Sequence, residues 1–116
     1  GLNARFVGNA DRDVVEMEIE MGRPVMVGWL DKGPETAPTC NSVGCGHWSV
    51  ISGYRGKNSG DPEWIMQDPR GLPDFAKGGH INPHLGRNIR VRQAQFDARW
   101  QPKGRQTGWA IVVDEH

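Results

Sequence analysis

The segment Gly46-His47-Trp48-Ser49-Val50-Ile51-Ser52-Gly53-Tyr54, followed by Glu63-Trp64-Ile65-Met66-Gln67-Asp68, decides the fold. Both runs are strand-length and rich in β-branched and aromatic residues, and between them Lys57-Asn58-Ser59-Gly60 supplies a turn. They read as a hairpin that ends at Asp68-Pro69-Arg70-Gly71. Antiparallel pairing brings the start of the first strand beside the end of the second. His47 and Asp68, 21 positions apart, are therefore expected to meet at opposed or diagonal positions.

Working outward, Pro24-Val25-Met26-Val27-Gly28-Trp29-Leu30 is an apolar run between breakers, which suits a buried strand. Before it, residues 11–21 mix Val14, Val15, Met17, Ile19 and Met21 with charges. Asp11 or Asn9 can cap a short helix there, and Gly22-Arg23-Pro24 stops it. Residues 31–46 have no periodicity and read as a surface loop, and residues 72–87 look irregular. Residues 91–101 place Val91, Ala94, Phe96, Ala98 and Trp100 near helical spacing, and Pro102 ends that helix. Gly108-Trp109-Ala110-Ile111-Val112-Val113-Asp114 closes the chain as a core strand. The expected class is α+β, a mostly antiparallel sheet with flanking short helices, as one domain or part-domain over residues 1–116.

The 14 basic and 14 acidic residues cancel, which removes the electrostatic argument for nucleic acid or an anionic membrane as partner. The basic run at residues 87–92 is then a solvated face. No apolar run approaches the ~20 residues of a membrane span. The chain begins Gly1-Leu2-Asn3, without an initiator Met or a signal-peptide pattern, and reads as a piece of a longer polypeptide, its compartment open.

A carboxylate on one imidazole nitrogen fixes the tautomer and leaves the other nitrogen free to serve a nucleophile, so His47 and Asp68 together form two thirds of a catalytic triad. The plainer alternative is a structural pair at a hairpin base. Gly22-Arg23-Pro24-Val25-Met26-Val27, then Gly46 to Tyr54, then Trp64-Ile65-Met66-Gln67-Asp68-Pro69, in that order, resemble the C-terminal half of papain-like cysteine peptidases of the bacteriocin-processing-peptidase-like family. The likeness covers about residues 2–109, with an echo in the aromatic-bearing stretch Phe96 to Trp100. It implies a papain-like fold, cleavage of a peptide or isopeptide bond, His47 as general base, Asp68 as its orienting partner, and no cofactor. The family's nucleophilic Cys sits at a helix start upstream of the segment matching Gly22-Arg23-Pro24, and no cysteine here precedes Cys40. The implied partner is therefore the N-terminal half of the same domain or a separate chain. The rival is an inactive peptidase-like module with a binding or assembly role, for example in a secretion system or phage particle.

Other side chains carry further expectations. Cys45, two residues from His47, is an alternative nucleophile, and Cys40 and Cys45 can also close a small disulfide loop or stay as free thiols. Cys40, Cys45, His80 and His84 form a zinc alternative, at a spacing untypical of a finger. Trp29, Trp48, Trp64, Trp100 and Trp109 read chiefly as core. Trp48 and Trp29, with Gln67, are the candidates to line a substrate cleft beside His47, although Gln67 is expected on the other sheet face from Asp68. An apolar patch near that cleft is expected where a partner packs.

Overall fold

In the computed structural model, which describes residues 2–39 and 46–115, the strand β1 (Leu2–Ala10) leads into helix α1 (Arg12–Glu20). The strands β2 (Val25–Trp29), β3 (His47–Arg55) and β4 (Glu63–Gln67) follow, then the short β5 (Leu72–Pro73) and β6 (His80–Asn82). The chain ends through β7 (Ile89–Arg92), helix α2 (Gln93–Trp100) and β8 (Gly108–Glu115). One six-stranded sheet runs β1-β8-β2-β3-β4-β7, every neighbouring pair antiparallel, and β5 and β6 form a separate two-stranded ribbon. The α+β class and the mostly antiparallel sheet expected from the sequence are present.

Strand alternation sorts the side chains. Val25, Val27, Ile51, Trp64, Met66, Val91, Ala110 and Val112 line one face and are buried there with Val15 of α1 and with Phe96 and Trp100 of α2. Both helices thus cover the same face. Asp11 starts α1 as the sequence suggests, its carboxylate accepting the Val14 N–H at 3.2 Å. On the opposite face the cross-strand row Phe6, Ile111, Met26 and Val50 lies next to Trp109, Gly28 and Trp48. Phe6, Met26 and Trp109 are exposed there, so the apolar patch of the described residues lies on the sheet face away from His47 and not beside it as the sequence reading expects. Among the described residues no helix is long and apolar enough to cross a membrane.

The structure differs from the sequence reading in three places. Residues 72–87, read as irregular, carry the β5–β6 ribbon, whose pairing Leu72↔Asn82 and Pro73↔His80 is tertiary and leaves no periodic signal. Residues 2–10, given no element in that reading, form the edge strand β1, whose side chains from Asn3 to Phe6 are exposed; its pairing with β8, not an apolar pattern, makes it a strand. The helix expected from Val91 begins at Gln93, because Val91 pairs with Trp64 and Arg92 with Glu63 in the sheet. Cross-strand burial of Val91 wins over its helical spacing.

Arg99 ties the loops to this frame. It is fully buried, and its guanidinium donates to the carbonyls of Phe75 (3.0 Å), Leu30 (3.1 Å), Lys32 (3.0 Å) and Gly33 (2.7 Å). One side chain therefore holds the segment after β2 against the segment before β6. Replacing Arg99 with Met leaves four carbonyls short of a charged donor. Urea denaturation is expected to show a loss of about 3 kcal/mol at unchanged m-value. Arg99→Lys, which lacks the planar fork, recovers only part of it.

Candidate functional site

At the mouth of the β3–β4 hairpin the register pairs Ile51 with Met66 and Val50 with Gln67, so the next position sets Asp68 across from Ser49 and diagonal to His47. All three are buried on the inner face. His47 Nε2 lies 2.9 Å from both Asp68 oxygens, and Ser49 Oγ donates to Asp68 Oδ2 at 2.9 Å. Trp29 Nε1 donates in turn to Ser49 Oγ at 3.0 Å, which leaves the hydroxyl proton to the carboxylate. The meeting of His47 and Asp68 expected from the hairpin is thus present, in its diagonal form.

Asp68 takes two more donors. The backbone N–H of Arg70 reaches Oδ1 at 2.8 Å, and His80 Nε2 lies 3.1 Å from Oδ2. Burial alone pushes this carboxyl's pKa up. The hydrogen bonds from His47, from Arg70 N–H and from His80, with the attraction of His47, outweigh it and hold the pKa at about 2. Trp29 stands edge-on to His47 at 5.5 Å between ring centroids, and His80 stands edge-on to His47 at 4.9 Å. His47 Nδ1 makes no hydrogen bond to any described residue.

Backbone contacts fix the two loops that complete the site. Asp68 N–H donates to Gly86 O at 2.7 Å, and a Cβ on Gly86 would collide with the Asp68 carbonyl. Gly79 N–H donates to Asp31 O at 2.6 Å, and Gly78, with φ +90°, passes so close to Gly33 that an added Cβ would sit 2.6 Å from its carbonyl oxygen. This close approach delivers His80 to Asp68.

The remaining sequence candidates are spread apart. Trp29 is core, packed on Phe75 and Phe96 as well as on His47. Trp48 and Gln67 point to the opposite sheet face by strand alternation. There Trp48 lies over Gly28, and Gln67 donates to Ser52 Oγ and Asn88 Oδ1. His84 is exposed, its backbone N–H on Asn82 Oδ1, and it does not join His80. Cys40 and Cys45 lie outside the described residues. Among the described residues, the donor atoms able to surround a metal ion are those of His47, Asp68 and His80, all within 4.8 Å of one another.

Sequence reasoning did not place Ser49 or His80 on Asp68. Ser49 was legible, since it shares His47's face two positions on. His80 was not, since its place depends on the Gly78 approach. No family model matches the chain, and no curated protein or solved structure matches it significantly.

The lowered Asp68 pKa has a thermodynamic consequence. Its contribution to folding is fully present above the unfolded carboxylate value and is lost as pH falls from about 4 through about 2. Asp68→Asn in chelator-treated protein is expected to cost about 2 kcal/mol at pH 7 and to flatten the stability profile over that window, read by urea denaturation at a series of pH values. An unchanged acid limb would contradict this.

Proposed function

We propose that the chain is the His- and Asp-bearing half of a papain-like cysteine peptidase domain that cleaves peptide or isopeptide bonds. The observation that carries this reading is the division of labour on His47. Its Nε2 is committed to Asp68, and its Nδ1 has no partner among the described residues. A carboxylate so placed orients the ring and stabilises the imidazolium, and the free nitrogen can take a proton from an attacking thiol.

In this reading a cysteine presented to Nδ1 passes its proton to His47, and the thiolate adds to the scissile carbonyl. Collapse expels the amine, which receives the proton from His47 and leaves a thioester on the enzyme. Water, deprotonated by the same nitrogen, then releases the carboxylic acid and restores the thiol. Asp68 holds the ring throughout, and Ser49, fixed by Trp29, holds Asp68. The thiol comes from an N-terminal half of the same domain, from a separate chain, or from Cys45. The exposed Phe6, Met26 and Trp109, on the sheet face opposite His47, favour the second reading, an inactive module that docks in a larger assembly.

The two are separated by thiol reactivity in the full-length polypeptide. One cysteine is expected to alkylate with iodoacetamide at least ~10-fold faster than a free thiol near neutral pH, and His47→Ala is expected to abolish that excess while circular dichroism stays unchanged. If every cysteine reacts at the free-thiol rate, or if the fast one ignores His47→Ala, the peptidase reading fails.

A further inference from the structure

Asp68 carries an unusual load. Five contacts at 3.1 Å or less converge on its two oxygens, which offer about four lone-pair directions. Two of the donors are fixed: Ser49, whose hydroxyl proton is directed by Trp29, and the Arg70 backbone N–H. The other contacts come from imidazole nitrogens, which are donors in one tautomer and bare lone pairs in the other. In the second tautomer the site presents two lone-pair nitrogens and a carboxylate oxygen, with the side chains of His47, Asp68 and His80 exposed by only 6%, 0% and 12%.

We propose that His47, Asp68 and His80 form a binding site for one divalent transition-metal ion of the zinc class. Two imidazoles and one carboxylate are a donor set for Zn²⁺ or Fe²⁺, and three protein ligands leave a fourth position open. Zinc bonds of about 2.0–2.1 Å in a tetrahedron separate ligand atoms by roughly 3.3 Å. The observed separations of 2.9 Å from His47 to Asp68 and 3.1 Å from His80 to Asp68 are a few tenths of an ångström short of that, within the reach of side-chain rotation. Ser49 and Arg70 N–H supply the hydrogen bonds that orient a ligating carboxylate.

The site goes beyond the hydrolase reading and does not depend on it. The two uses of His47 exclude each other, since a metal on Nε2 leaves the ring proton on Nδ1 and removes the base. Metal occupancy would therefore silence a thiol placed at that nitrogen.

The test is calorimetric titration of chelator-treated full chain with Zn²⁺, with Co²⁺ absorption as a second probe. One equivalent is expected to bind with a micromolar or tighter dissociation constant, and Co²⁺ to give d–d bands. His80→Gln, folded by circular dichroism, is expected to weaken binding at least 10-fold. His84→Gln and the double variant Cys40→Ser/Cys45→Ser are expected to bind as the parent does. No binding at 100 µM Zn²⁺, binding indifferent to His80→Gln, or binding lost with the cysteines would each overturn the site. Run on chelator-treated protein, the alkylation test has no metal competing for His47, so the two readings fail separately.

Discussion

A carboxylate with no exposed surface must find a donor for every lone pair, and Asp68 organises the molecule around that requirement. Its partners come from three parts of the chain: His47 and Ser49 from β3, Arg70 from the turn after β4, and His80 from β6. The β3–β4 register is constrained by it, because a slip of one residue would turn His47 and Ser49 to the outer face and leave the charge without them. The irregularity between Ile51 and Gly53 falls on the far side of this pairing, so the hairpin absorbs its extra residue away from the site.

The loops are held from the other direction. Arg99 gathers the carbonyls of Leu30, Lys32 and Gly33 with that of Phe75, and Gly79 N–H closes on Asp31. Together these position the segment that carries His80. A helix on one side of the core thus sets the geometry of a site on another, through backbone hydrogen bonds that a charged donor makes strong. The stack of Trp29, Phe75 and Phe96 fills the space between them and forms the apolar floor beneath His47.

These dependencies explain what the sequence showed and what it hid. The hairpin was legible because residues 47–54 and 63–68 are bounded by turn residues and match the strand period; with the turn located, the proximity of His47 and Asp68 followed. Strand β1 was hidden because an edge strand with Asn3, Ala4 and Arg5 exposed carries no apolar alternation, and only β8 makes it a strand. The start of α2 was misplaced by two residues because Val91 satisfies both periods, and the partner that decides between them, Trp64, is distant in sequence. His80 was named only for its spacing from His84, whereas its actual partner is Asp68 at the hairpin mouth, which it reaches through the approach of β6. That approach depends on Gly78 being small enough to pass Gly33, a tertiary fact with no local signature.

Stability alone does not account for a charge in this place. A buried ion pair rarely outdoes apolar residues of the same volume, since desolvation offsets much of the attraction. The hairpin mouth already has Trp29 and Phe75 beside it, so a Leu or Met at position 68 would extend a core that is in place. Holding a carboxylate there instead engages a serine hydroxyl, a backbone N–H and two imidazoles, and it leaves His47 with one nitrogen that has no partner among the described residues. Such an arrangement keeps a proton acceptor or metal ligand in a fixed orientation at low exposure, which is a chemical capability rather than a packing one. A metal ion on the nitrogens that face Asp68 would keep the ring proton of His47 on Nδ1, so this imidazole serves a thiol or a metal ion and not both at once.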